Sequence, residues 1–173
     1  MKRCFVLVIP LALSIGALAQ VDAWSALHAF EGKWEGSSTG KPGTGTTTRE
    51  YYYELNDHFL AQRDKSVYQP ADPKAKPLAH EDFGMFSYDA SRKKVLWEQF
   101  HSEGFVNEYE LESVTPDGRE LVFVTTNIEN FPGARAKKLY RFASPDEIEE
   151  TFWLALPDKD YALYTVAHIK RVK

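Results

Sequence analysis

The sequence predicts an all-β fold, an up-and-down antiparallel β-barrel of about ten strands entered through a short N-terminal helical turn. Three observations predict it. From Trp34 onward, apolar side chains recur at every second position, turn-forming residues return about every ten positions, and no long helical period reappears. Hairpin-linked strands in that number would expose two hydrogen-bonding edges if the sheet stayed flat, and closure removes both. A barrel of about eight to ten strands also has room inside for one small ligand.

The chain opens with MKRCFVLVIPLALSIGALAQ, a basic start at Lys2 and Arg3, an apolar stretch over 5–18 and a small-x-small site at Ala17-Leu18-Ala19. Residues 1–19 read as a secretory signal peptide, because a spanning helix needs about twenty apolar residues and this stretch is shorter and broken by Pro10. The expected protein is therefore exported, periplasmic or secreted, with 20–173 as one domain and no stable membrane span. Its only cysteine, Cys4, leaves with the leader, so neither a disulfide nor thiol chemistry is expected. Without Lys2 and Arg3, 19 basic side chains face 25 acidic ones. That balance favours neither nucleic acid nor an anionic membrane, and it leaves small molecules or proteins as partners. Nothing in the sequence speaks to oligomeric state.

Trp24, Leu27 and Phe30 fall at helical spacing behind Asp22, which predicts a short turn leading into Trp34. Strands are expected near 33–38, 46–55, 58–68, 80–89, 93–101, 105–115, 119–127, 135–143, 147–156 and 160–172. Asn56-Asp57, Asp89-Ala90-Ser91 and Pro116-Asp117-Gly118 punctuate them as turn formers. The Pro-rich QPADPKAKP is an extended, solvated connection.

Alternation sorts the side chains. In FVNEYELES, Glu108, Glu110 and Glu112 share one face and must be solvated, which turns Phe105, Asn107, Tyr109 and Leu111 inward. A buried Asn107 amide needs a partner, whether backbone, water or ligand. The same test turns Val95, Trp97, Gln99 and His101 inward, and likewise Tyr51, Tyr53 and Leu55. Tyr51, Tyr53, Trp97, Gln99, His101, Asn107 and Tyr109 are therefore the candidate ligand-binding residues, an aromatic wall carrying hydroxyl, amide and imidazole groups. A filled core with satisfied polar groups is the competing reading. GARAKKLYRF reads as a basic outer face, from which Arg135 at the mouth would greet a ligand carboxylate. His80-Glu81-Asp82, and His101 with Glu103, have residue types that bind zinc; His101 and Glu103 would share a face of one strand, but a third ligand at a recognisable spacing is absent, so they read as a solvated charged strand end and no metal is expected. No nucleophile elbow, P-loop or dinucleotide fingerprint occurs, and the glutamates alternate outward, so no catalytic residue is assigned.

The helical turn, Gly32-Lys33-Trp34 on the first strand, and Lys170 or Arg171 on the last together resemble the calycin pattern of lipocalins and fatty-acid-binding proteins. That resemblance implies a buried Trp34 plugging one end of the barrel, with Arg171 or Lys170 packed over it. FHSEGFVNEYEL and NIENFPGARAK look like segments of an uncharacterised bacterial family of exported lipocalin-like barrels. Similarity to nitrobindin, a haem-binding barrel of this type, would make His168 an iron ligand, although AHIKRVK lacks the fuller local pattern. The leading expectation is an exported barrel that binds a small apolar or amphipathic ligand without a cofactor. The alternative is a haem- or metal-assisted enzyme using a barrel histidine.

Overall fold

The computed structural model describes residues 22–70 and 74–173, so the expected signal peptide lies outside the described residues. A single 3₁₀ turn, Ser25–Phe30, precedes ten strands: β1 (Gly32–Gly40), β2 (Gly43–Glu54), β3 (Phe59–Gln69), β4 (Leu78–Asp89), β5 (Lys94–His101), β6 (Phe105–Val114), β7 (Glu120–Ile128), β8 (Arg135–Ser144), β9 (Glu147–Ala155) and β10 (Ala162–Arg171). Each antiparallel strand pairs with its sequence neighbours, and β1 pairs with β10, so the sheet closes into an up-and-down barrel. The expected fold is the observed one. No strand end differs from its expected position by more than three residues.

One end of the barrel is sealed by its own residues. Phe30, Trp34, Tyr51, Tyr140 and Phe142 pack together beneath the 3₁₀ turn, and the Trp34 indole N–H donates to the Phe30 carbonyl at 2.7 Å. The Arg171 guanidinium lies 4.1 Å above the Trp34 ring. From there it donates to the Ala29 and Pro145 carbonyls at 3.0 Å and to Asp146 Oδ1 at 3.1 Å, tying the last strand to the first turn and to the β8–β9 hairpin. Lys170 instead points outward and pairs with Glu147 at 2.7 Å. Leu55 departs from the alternation: it sits in a left-handed turn with Asn56 and Asp57, and 69% of it is exposed. The strand ends at Glu54, one residue before the apolar period does.

Above this plug Phe86, Trp97 and Tyr109 stack, with ring centroids 4.9 and 4.5 Å apart, and Phe123 and Tyr140 meet them edge-on or tilted. These large rings fill the middle of the barrel and leave the far half open. No helix among the described residues is long and apolar enough to cross a membrane.

Candidate ligand cavity

The open half holds a cavity of about 320 Å³. Its floor is charged. Arg49 on β2 donates to Glu150 Oε2 on β9 at 3.3 Å through Nε and 3.2 Å through Nη2, and its Nε also lies 3.2 Å from Asp64 Oδ2 on β3. Lys138 on β8 reaches Glu150 Oε1 at 3.3 Å while its ammonium rests 4.8 Å above the Trp97 ring. All four charged side chains are buried.

Burial would discharge each of these groups, and their mutual attraction decides which keeps its charge. Burial works against Arg49, yet Asp64 and Glu150 hold its guanidinium well above its ordinary range. Burial opposes Lys138 too, and Glu150 before other partners keeps it charged. Glu150 faces both cations and is held below the usual carboxylate range against its own desolvation. Asp64 has less compensation, and burial pushes it up to about 7.

The walls are amides and rings. Gln99 and Asn107 face each other across the β5–β6 pair. Gln99 donates to Asp82 Oδ2 at 2.8 Å and Asn107 donates to the Tyr109 hydroxyl at 3.3 Å, which leaves Gln99 Oε1 and Asn107 Oδ1 buried without a partner. Burial raises the Tyr109 hydroxyl to about 12, so it stays a neutral donor. Toward the mouth the lining becomes apolar, with Tyr68, Leu78, Phe105, Phe152 and Tyr164.

On the same rim, the β4–β5 pairing sets Asp82 opposite His101, and His80 lies two residues before Asp82 on the same face. Asp82 Oδ1 is 2.7 Å from His101 Nδ1 and 3.0 Å from His80 Nε2. His80 Nδ1 lies 2.7 Å from Glu103 Oε1. The short approach to Asp82 and then Glu103 raise His80 to about 9 against its desolvation. Burial would raise Asp82, but His101 and His80 hold it well below the usual carboxylate range.

The structure therefore brings Gln99, His101, Asn107 and Tyr109 together around the cavity. It places the other sequence candidates elsewhere. Trp97 lies one layer down, under Lys138. Tyr51 belongs to the sealed end, stacked near Phe30 with its hydroxyl accepting from Gln62 at 3.2 Å, and Tyr53 packs on Trp24 and His28. Arg135 is on the outer face, over the Tyr161 ring and donating to the Lys159 carbonyl at 2.9 Å. The inward base of that strand is Lys138, because the alternation that turns Ala136 and Tyr140 inward also turns Lys138. His168 projects outward with 66% of its side chain exposed, so the histidines that reach the cavity are His80 and His101. The His80 strand end is solvated only in part: Glu81 and Glu103 are exposed and His80 is half-buried, whereas the Asp82 and His101 side chains are 7% and 8% exposed.

Arg49, Lys138 and Glu150 escaped the sequence reading, although each sits in phase with inward apolar residues: Arg49 with Tyr51, Lys138 with Tyr140, Glu150 with Ile148. Phase was the available signal.

No protein-family model matches the chain, and no curated protein matches it in sequence. Solved structures do. The chain is similar to Rv2717c from M. tuberculosis, with a TM-score of 0.65 at 18% identity over 86% of this chain and 98% of that one. It is also similar to the S-type phycobiliprotein lyase CPES from Guillardia theta, with a TM-score of 0.56 at 13% identity over 90% of this chain and 96% of that one. At such identities the likeness establishes the fold. The chain shares their fold, a closed antiparallel barrel.

Proposed function

We propose that this protein binds one small amphipathic molecule inside the barrel, head inward, and that it does so outside the cytoplasm after loss of residues 1–19. One observation carries the reading: Gln99 and Asn107, whose buried side-chain carbonyl oxygens Oε1 and Oδ1 have no hydrogen-bond partner, both line a cavity of about 320 Å³ together with several aromatic side chains. A buried acceptor without a partner costs about 1 to 3 kcal/mol, and a ligand head that donates N–H or O–H hydrogen bonds recovers that loss. The volume lies within the range of small-molecule sites. Tyr68, Phe105, Phe152 and Tyr164 offer the apolar body of such a ligand a desolvated sleeve, above a floor in which two cations, Arg49 and Lys138, share the one carboxylate of Glu150. The ligand head that suits the two unpartnered carbonyl oxygens is a hydrogen-bond donor such as a hydroxyl.

Native mass spectrometry of protein purified from its own cells identifies the co-purified molecule. A dansylated long-chain alcohol serves as the defined probe: one equivalent binds, and Asn107→Leu weakens it by about 5- to 150-fold, equivalent to about 1 to 3 kcal/mol, with the melting temperature unchanged or raised. Unaltered affinity together with clear destabilisation would make Asn107 part of a packed core and overturn the reading.

A further inference from the structure

We propose that His80, Asp82 and His101 form a binding site for one divalent transition-metal ion of the zinc class in the wall of the cavity, independently of what the cavity itself binds. The donor atoms of the three side chains lie within 4.8 Å of one another. They come from two adjacent strands in fixed register rather than from a loop, so closure of the barrel assembles them.

The rings do not behave as simply hydrogen-bonded histidines. Asp82 Oδ1 lies 3.0 Å from His80 Nε2 and 2.7 Å from His101 Nδ1, and Asp82 Oδ1, His101 Nδ1 and His101 Nε2 are buried with no hydrogen-bond partner of good geometry. A buried imidazole with neither nitrogen satisfied is a rare and unfavourable arrangement. Donor atoms that converge in this way are placed as ligands of a common ion would be.

The surroundings fit a metal centre. His80 turns Nε2 toward the cluster while Nδ1 meets the Glu103 carboxylate at 2.7 Å, and Asp82 turns Oδ1 toward it while Oδ2 accepts from Gln99 at 2.8 Å. Outer partners of this kind fix the orientation of histidine and carboxylate ligands and raise histidine basicity. Two imidazoles and one carboxylate suit zinc, cobalt or iron(II), whereas calcium and magnesium prefer all-oxygen shells. A tetrahedral ion with bonds of about 2.0 to 2.2 Å separates its donors by roughly 3.3 to 3.6 Å. The observed 2.7 and 3.0 Å separations must therefore open by about half an ångström. His80, one-third exposed at 33%, has the freedom to move. All three residues also line the cavity, so a fourth coordination position would face it.

The test is titration of the chelator-treated full chain with Zn²⁺ by calorimetry and with Co²⁺ by visible absorption. One equivalent of either ion binds, and the Co²⁺ complex shows the intense d–d bands of a low-coordinate nitrogen and oxygen site. His101→Ala and Asp82→Asn each weaken Zn²⁺ by about 100-fold or more, and the outer-partner variant Glu103→Gln by about tenfold. His80→Ala, on the exposed side of the cluster, provides a variant whose fold is retained by circular dichroism even if His101→Ala unfolds, and it too loses about 100-fold. Absence of one-equivalent binding overturns the site. So does binding that persists unchanged in His80→Ala, or Co²⁺ spectra indistinguishable from the free aqueous ion. Neither result bears on the alcohol probe, so the two readings stand or fall separately.

Discussion

Glu150 is the residue on which the cavity floor depends, because it is the common partner of two buried cations, Arg49 and Lys138. Glu150→Gln keeps the shape and removes the charge, leaving both cations with less compensation in a desolvated place. The expected loss at neutral pH is about 3 to 5 kcal/mol in denaturant melts. The sign of its pH dependence follows from the depressed carboxyl of the folded state. Such a group stabilises fully above its unfolded pKa, about 4.3, and that contribution fades as pH falls through the lower folded value. The gap between wild type and Glu150→Gln should therefore be widest at neutral pH and shrink in acid below about pH 4. A gap independent of pH would mean that Glu150 is not the ionised partner. Asp64, raised to about 7 by burial and in part by Glu150, contributes in the opposite sense, and Glu150→Gln relieves that repulsion, so the acid limb below about pH 4 is where the Glu150 contribution is read. At this scale the sequence was partly legible. Alternation put Gln99, His101, Asn107 and Tyr109 inside, but it was overruled by polarity at Arg49, Lys138 and Glu150. A lone charge in phase with apolar neighbours looks like an error in the period until a partner on another strand explains it: Glu150 is 101 residues from Arg49 in the chain. Pairing across that distance leaves no local trace.

At the scale of elements, the β1–β10 seam is the place where the barrel is made. Gly36 lies on it opposite Ile169, and a Cβ built there would fall 1.9 Å from the His168 carbonyl oxygen and 2.8 Å from the Ile169 Cα. Both atoms are backbone and neither can swing away, so the strand turns a barrel corner that only glycine fits. Gly36→Val is expected to destabilise by about 1 to 3 kcal/mol or more through overpacking, measured by chemical denaturation. Ser37→Val is the control: Ser37 is the outward neighbour of Gly36 on the same strand, and that change should be nearly neutral. Equal effects from the two would place the constraint in β-propensity rather than at the corner. The element pattern was the most legible feature of this sequence, since period two and turn chemistry are local signals. Where the strands ran longer than expected, at β1 and β2, the added residues are small and polar: Thr39 and Gly40 on one side and Gly43, Thr44 and Gly45 on the other. Such residues read as loop when alone. They pair because a two-residue turn at Lys41-Pro42 brings Gly40 opposite Gly43.

The whole molecule separates its tasks by position: one end is sealed by Trp34, Arg171 and the 3₁₀ turn, and the other carries the cavity, the amides and the histidines. Both ends rest on a closure between strands at opposite ends of the domain, Gly32–Gly40 and Ala162–Arg171. Contacts so distant in sequence are entropically expensive to form and reward the chain only when the ring completes, so folding should be slow, in the range of milliseconds to seconds, and cooperative. Closure and an interior wide enough for a ligand were legible from the cost of open edges and the number of strands, whereas the charged floor of the cavity was not, because it arises from pairings that closure itself creates. A chain stopped after Tyr161 isolates the contribution of closure. It lacks β10, leaves β1 and β9 as unpaired edges of nine residues each, and removes the Arg171 cap over Trp34. Exposed edges of this length recruit other chains. The truncated chain is expected to show no cooperative thermal transition and to elute as aggregates in size-exclusion chromatography. A truncated monomer that still melts sharply would mean that nine strands hold the sheet without the ring, and that the sealed end stabilises the fold more than closure does.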